Sequence, residues 1–338
     1  MSHEQRLGAP PQTDAGHREL SGRLPDFFIV GHQKCGTTAL YLMLGAHPQI
    51  FLPAVKEPRY FAFDLRSASA RRPPPGRPQT LEQYAALFAP AMPGQLVGEA
   101  SPQYLRSHVA AGAIAEVDPG ARIIAILREP SSFLSSFHLQ MVSSGVESER
   151  DLARALALEP ERRAGREIPR GCHHPESLLY SEHVRYAEQL RRFYEHFPRE
   201  RVLVLIYEEF RADNQATVRE VLRFLGADEN QPLQQVDTRP VRPVRSGLLH
   251  RVTAEMRRAR KNPAAAGRLA RVADAALPDR LRGRAVRAGW RRAVYATPRP
   301  PDPRLMLELR RRFKPEVVAA GEYLGRDLVS LWGYEHID

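Results

Sequence analysis

Eight residues, Gly31-His-Gln-Lys-Cys-Gly-Thr-Thr38, form the part of this chain best suited to hold an anion. They follow a short apolar run, Asp26-Phe-Phe-Ile-Val-Gly31, and lead into Thr37-Thr-Ala-Leu-Tyr-Leu-Met-Leu-Gly-Ala46, a helical stretch that His47-Pro48 stops. A loop between a buried strand and a helix start turns free backbone N–H groups and the positive end of the helix dipole towards a phosphate. Gly36 permits close backbone approach, and Thr37 and Thr38 add hydroxyl donors. The nucleoside-triphosphate loop G-x-x-x-x-G-K-[ST] is the obvious rival, but here Thr37 follows the second glycine and the cation, Lys34, stands two residues before it. A lysine so displaced fits the bridging oxygen of a shorter 5′-phospho group at the loop mouth better than a β/γ-phosphate. Lysine is also scarce, with four (Lys34, Lys56, Lys261, Lys314) among 50 Lys+Arg, which argues against an incidental placement.

Three further groups carry chemistry. Arg128-Glu-Pro-Ser-Ser-Phe-Leu-Ser-Ser136 follows the apolar run Arg122–Leu127, which places Arg128 at the carboxyl end of a strand, the edge where open α/β sheets bind ligands. Arginine offers a planar fork of donors suited to phosphate, and Ser136, about two helical turns on, can supply a hydroxyl. Lys56-Glu-Pro-Arg-Tyr-Phe61 and Gly98-Glu-Ala-Ser-Pro-Gln-Tyr104 each bring a carboxylate, Glu57 and Glu99, just past a strand candidate. Either can serve as a general base, with Ser101 as a neighbouring ligand contact.

Phe28-Ile-Val-Gly-His-Gln-Lys-Cys-Gly-Thr-Thr-Ala-Leu40 resembles the 5′-phosphosulfate loop F-I-x-G-x-x-K-[SG]-G-T-T-x-L of sulfotransferases that use 3′-phosphoadenosine 5′-phosphosulfate (PAPS). Cys35 replaces the usual Ser or Gly, at a position that contributes backbone N–H. Arg128, Pro130 and Ser136 match the family's 3′-phosphate motif R-[ND]-P-x-x-R-x-x-S, with Glu129 for Asn/Asp and Phe133 for the second arginine. Lys56–Phe61 is similar to the E-x-x-[FY]-F segment of carbohydrate and Golgi-type members, which implies that Glu57 is the base. Gly98–Tyr104 resembles a K-[TS]-P-x-Y segment with Ala100 in the lysine position, and Glu99 stays open as a rival base. The resemblance implies that Lys34, Cys35, Gly36, Thr37 and Thr38 hold the phosphosulfate and that Arg128 and Ser136 hold the 3′-phosphate. PAPS is then the sulfuryl donor, PAP the product, and no metal is needed. The acceptor is a hydroxyl or amine of a saccharide, glycolipid or natural product. Weaker matches extend the similarity through Tyr186–Phe193, Phe197–Glu209, Leu309–Glu316 and Leu324–Trp332, leaving Arg239–Pro303 the least matched part.

The elements that must position these residues alternate. Strands are expected at Gln49–Leu52, Leu96–Gly98, Arg122–Leu127 and Val202–Tyr207, besides Asp26–Gly31. Helices are expected at Leu81–Leu87, Ser132–Val142, Tyr180–Phe197 and Gln215–Leu225. This order predicts a parallel sheet flanked by helices, a P-loop-like three-layer α/β fold. Residues 1–24 read as a disordered leader and 25–338 as one domain, with a basic helical insertion at about 239–297 and a surface loop at Arg71–Pro78.

Composition bounds the alternatives. The 338 residues are 43% hydrophobic, ample for a core, and no apolar run approaches the roughly 18 residues of a membrane span. Two cysteines exclude a disulfide scaffold and a four-cysteine zinc site. That usage and an N-terminal stretch without an apolar signal core predict a cytoplasmic protein. The net charge of +11 is local: Arg239–Tyr295 holds 16 Lys+Arg and three acids. The stretch can touch a membrane surface or acidic polymer, but it lacks the aromatic platforms of a nucleic-acid module. Two other classes stay in view. A Mg²⁺-dependent kinase or NTPase requires a lysine after Gly36, and a non-catalytic polyanion-binding module would use the basic stretch alone. Cys172-His-His174 has no second ligand cluster at zinc spacing, and His138 on a helix face reads as packing.

Overall fold

The computed structural model describes residues 22–65, 77–170, 172–233 and 301–337. Five parallel strands, β1 (Phe27–Gly31), β2 (Ile50–Phe51), β3 (Leu96–Ala100), β4 (Arg122–Leu127) and β5 (Val202–Ile206), form one sheet in the order β2-β3-β1-β4-β5. β1 is central and wholly buried, as its unbroken apolar sequence requires when both faces of a parallel sheet are covered. Its residues pair with β3 from Phe27↔Gly98 to Ile29↔Ala100 and with β4 from Phe27↔Arg122 to Gly31↔Ile126. The chain runs from β1 outward to β2 and β3, then crosses to β4 and β5. The switch point lies beside β1, where doubly wound sheets bind ligands.

The helices form two packed groups that make this a three-layer α/β fold. One contains α1 (Thr37–Gly45), α8 (Tyr207–Ala212) and α9 (Asn214–Leu225). The other contains α3 (Ala110–Val117), α4 (Pro130–Ser144), α7 (Tyr186–Tyr194) and α10 (Pro303–Leu324). Shorter helices α2 (Leu81–Ala85), α5 (Leu152–Ala157), α6 (Glu159–Arg163) and α11 (Leu328–Leu331) complete the set. Among the described residues no helix is long and apolar enough to cross a membrane.

Several expected elements differ at their ends. α4 begins two residues earlier than expected, because Pro130 fits the first turn and Glu129 caps it. The stretch Tyr180–Phe197 splits into a 3₁₀ turn (Tyr180–Val184) and α7. They meet at Arg185, whose ψ of 60° breaks the helix. Leu81–Leu87 is likewise α2 followed by a 3₁₀ turn. Helices α3, α5, α6 and α8 were not expected from the sequence, and the strand expected to reach Tyr207 ends at Ile206, where α8 begins. Residues 1–21 of the leader, most of the Arg71–Pro78 loop and the basic stretch 239–297 lie outside the described residues.

Candidate active site

The carboxyl ends of β1, β2, β3 and β4 deliver the phosphate loop, the Glu57 segment, the Glu99 segment and Arg128 to one edge of the sheet. At the end of β1, Gly31 has φ 137°, and a Cβ there would stand 2.7 Å from the carbonyl oxygen of Ile126 on β4. The loop needs this glycine because two backbones pass within van der Waals contact. Lys34 also lies in the left-handed region, at φ 72°, a conformation that costs a lysine free energy and marks an imposed loop shape. Gly36, at φ 87°, is the N-cap of α1, and no side chain caps that helix. The first-turn amides, those of Thr37 and Thr38 included, are therefore free to meet an anion.

Cys35 is fully buried, and burial pushes its thiol up to about 12, so the sulfur is neither nucleophile nor ion. Lys34 is held below its ordinary value by burial and by Arg128. Such a lysine gains most from an incoming anion. Arg128 braces the same loop: its Nη1 donates to the Lys34 carbonyl at 2.8 Å, and its Nε and Nη2 donate to Ser132 Oγ at 3.1 and 2.7 Å. The guanidinium lies 4.5 Å from the ring centroid of Tyr207. Three of its five N–H groups are thus engaged and two are left for a ligand. Ser136 lies one turn beyond Ser132 on α4, half-buried, and it is Ser132 that bonds the arginine. Sequence reading missed Ser132, although a hydroxyl four residues after Arg128 at a helix start was a usable signal.

Glu129 caps α4, accepting from the amides of Ser131 (3.0 Å) and Ser132 (2.7 Å) and from the Ser131 hydroxyl. A glutamate here therefore does the capping of the Asn/Asp it replaces. Its Oε1 also accepts from the Tyr334 hydroxyl near the carboxyl end of the described chain. The Glu129 amide donates to Glu208 Oε1 at 3.3 Å, and Trp332 Nε1 donates to Glu208 Oε2 at 2.9 Å. Arg310 of α10 holds the Trp332 and Gly333 carbonyls at 3.1 and 3.2 Å. Two aromatic residues about 200 positions downstream thus clamp the turn that carries Arg128.

The Glu57 segment is pinned to the end of β3. The Glu57 amide donates to the Ala100 carbonyl (3.1 Å), the Arg59 amide to Ser101 Oγ (3.0 Å) and the Phe61 amide to Tyr104 OH (3.3 Å). Glu57 and Arg59 both take positive φ, 59° and 57°, so the turn is held by these bonds rather than by preference. Lys56 Nζ at 3.1 Å, Arg59 Nη2 at 2.6 Å and Gln103 Nε2 at 3.3 Å all donate to the Glu57 carboxylate. Burial alone would raise its pKa; Lys56 and Arg59 outweigh that and hold it below the usual carboxylate value. Glu57 is ionised at neutral pH, the state a proton acceptor requires. Lys56 also lies 5.9 Å from the Tyr41 ring of α1, which ties this turn to the helix that the phosphate loop opens.

Glu99 has a different setting. It is fully buried, its Oε2 accepts from Tyr84 OH (2.6 Å) and Tyr104 OH (2.9 Å), and burial pushes it up to about 7. Ser101 uses its hydroxyl to hold Arg59, so the Glu99–Ser101 segment scaffolds the Glu57 turn. His138 bonds the Glu149 carbonyl at 2.9 Å, which is the packing role expected of it. Among the described residues no three His, Cys, Asp or Glu side chains converge as metal ligands.

A sequence model of the sulfotransferase family matches residues 25–231, which span β1 to the end of α9. The chain belongs to the sulfotransferase family. This sulfotransferase is 29% identical over 232 residues to the human bifunctional heparan sulfate N-deacetylase/N-sulfotransferase 3, a match covering 64% of this chain and 24% of that protein. It is 27% identical over 223 residues to mouse heparan sulfate glucosamine 3-O-sulfotransferase 6, covering 65% of this chain and 56% of the relative. The chain therefore spans only a quarter to about half of these relatives. A solved sulfotransferase from Alicyclobacillus acidocaldarius superposes with a TM-score of 0.64 at 25% identity, over 92% of this chain and 99% of that one. The donor of the family, PAPS, fits what is present: uncapped amides and Lys34 at one anion position, and the two remaining N–H groups of Arg128 at a second, on the neighbouring strand.

Proposed function

We propose that this sulfotransferase moves the sulfuryl group of PAPS to a hydroxyl, or an amine, of a small acceptor such as a saccharide, glycolipid or natural product, with Glu57 as the base. The observation that carries this reading is the setting of Glu57. It is an ionised carboxylate, 24% exposed at the side chain, held in a left-handed turn by backbone bonds to β3 and by three side-chain donors. In the transfer the acceptor oxygen forms a bond to sulfur as the bond from sulfur to the bridging phosphate oxygen breaks. The acceptor proton passes to Glu57, and the electron pair of the broken bond leaves with the phosphate. Lys34 and the amides of residues 36–38 steady that charge, as preorganised donors do best in a site shielded from water. Arg128, with Ser136 further along α4, would hold the 3′-phosphate.

Glu99 has a pKa nearer neutrality but no exposed surface, and both its tyrosine partners donate to it. We assign it a supporting role behind Glu57. Replacing Glu57 by Gln keeps the shape and removes the proton acceptor. A positioned base contributes about 10²–10⁴-fold, so turnover should fall by at least about 10² while PAP binds as before. Retained turnover, or a matching loss of PAP affinity, would rule out Glu57 as the base.

A further inference from the structure

Three buried polar atoms on neighbours of Glu57 make no hydrogen bond, Arg59 Nε, Gln103 Oε1 and Glu99 Oε1, and neither does His174 Nδ1, which lies in the field of Arg59. Buried polar groups are satisfied as a rule, so a cluster of exceptions around one carboxylate points to a ligand. Arg59, Gln103 and His174 are half-buried side chains at the edge of the site, whereas Glu99 lies beneath them. Arg59 and Gln103 both touch Glu57 Oε2, at 2.6 and 3.3 Å. His174 opens the 3₁₀ turn Pro175–Leu178 and feels the charges of Arg59 and Arg106, and Arg106 in turn donates to the Glu176 carbonyl.

The chemistry of the three edge atoms restricts what satisfies them. Arg59 Nε is a donor. The Gln103 amide is oriented by its neighbour, since only its NH₂ can face the Glu57 carboxylate, which leaves Oε1 as an acceptor. His174 is kept neutral, because burial first and Arg59 next lower its pKa, so its Nδ1 accepts or donates according to tautomer. A ligand must therefore donate and accept over a short span, which adjacent hydroxyl groups do. A carboxylate or sulfate would accept from Arg59 Nε but would set its oxygens against Gln103 Oε1, beside an uncharged imidazole. Of the nearby cations, Lys56 and Arg59 are both bonded to Glu57, Arg106 stands in the field of Glu176 and Asp64, Arg77 is a further one near His174, and alanine occupies position 100.

Resting on the transferase reading above, we infer that Arg59, Gln103 and His174 form a subsite for a neutral polyhydroxyl acceptor, a sugar or polyol presenting adjacent hydroxyls to Glu57, rather than for an acidic polysaccharide. The test uses the full chain with PAPS, following PAP release with trehalose and maltotriose as neutral probes and with an oligosaccharide of alternating glucuronate and N-acetylglucosamine as the acidic one. PAP affinity is measured separately by calorimetry. The neutral probes should turn over and the acidic one should not compete. His174→Gln should raise KM for the neutral probe about five- to tenfold, the loss of one hydrogen bond, and Gln103→Leu, which also removes a donor to Glu57, at least as much, while both leave PAP affinity unchanged. Preference for the acidic probe, turnover of neither class by a protein that binds PAP, or variants that weaken PAP and acceptor alike would each overturn the subsite. Failure to bind PAP at all would instead sink the transferase reading beneath it.

Discussion

Tyr334→Phe removes one hydroxyl from the protein interior, 205 positions from the carboxylate it bonds. A hydrogen bond to an ionised group contributes about 1.5–3 kcal/mol. Glu129 keeps its bonds to the Ser131 amide and hydroxyl and to the Ser132 amide, so the loss belongs at the lower end, about 1.5–2 kcal/mol. For a chain of 338 residues that lowers Tm by roughly 2–3 °C. The effect on binding follows from the chain of contacts. Tyr334 holds Glu129, Glu129 holds the Ser132 amide, and the Ser132 hydroxyl accepts from Arg128 Nε and Nη2. A looser Glu129 therefore loosens the arginine while leaving the Gly36–Thr38 amides in place. PAP affinity should fall about three- to tenfold, and affinity for ADP, which lacks a 3′-phosphate, should hold within about twofold. Calorimetric titration of both nucleotides against both proteins, with a thermal melt as control, reads the effect. A melt shifted as expected with PAP binding intact would show the clamp to be structural only. An equal loss for PAP and ADP would refute the path through Ser132.

Gly31→Ala puts a Cβ 2.7 Å from the Ile126 carbonyl at φ 137°, and should destabilise the fold by about 3 kcal/mol or more in denaturant unfolding. A wild-type-like unfolding midpoint would mean the β1–β4 approach is looser than described. Glu99, with a folded pKa of about 7 against an ordinary 4.5, binds a proton more tightly in the folded state. Stability should therefore decline by about 3 kcal/mol as pH rises from 4.5 to 7, then level off. Glu99→Gln should flatten that slope, and an unchanged slope would mean Glu99 titrates normally. Glu57, held below its ordinary value, contributes stability present above the usual carboxylate range and lost as pH falls through its lower folded pKa. Glu57→Gln should abolish that acid-side contribution in pH-dependent melts.

Much of this arrangement was legible in the sequence because it is local. An unbroken apolar run, a glycine loop and a helical stretch are contiguous, and their order specifies β1, the phosphate loop and α1 without knowledge of anything distant. The same holds for Arg128 after β4. The Glu57 turn was legible only as a motif: nothing in Lys56–Phe61 says that residues 57 and 59 take positive φ, because the bonds that impose it come from Ala100 at the end of β3 and from Ser101 and Tyr104 just after it. Ser101 and Glu99 looked like ligand groups for the same reason, their partners being invisible in the linear order. The clamp of Trp332 and Tyr334 on Glu208 and Glu129 is longer in range still. Local pattern gives no signal for a contact across 205 residues. Helix α3, Ala110–Val117, escaped notice because it is alanine-rich and short, and the hydroxyl that meets its first amide, that of Ser107, stands three residues before it.

We propose that two anion sites on neighbouring strands read a nucleotide with both a 5′ and a 3′ phosphate. The most direct measurement is calorimetric titration of the wild-type protein and Arg128→Ala with PAP, ADP and ATP plus Mg²⁺. The geometry predicts tight PAP binding without metal, ADP weaker by at least about tenfold, and an Arg128→Ala variant that no longer distinguishes the two. Binding of ATP with Mg²⁺ and not of PAP would contradict it and return the loop to a kinase or NTPase.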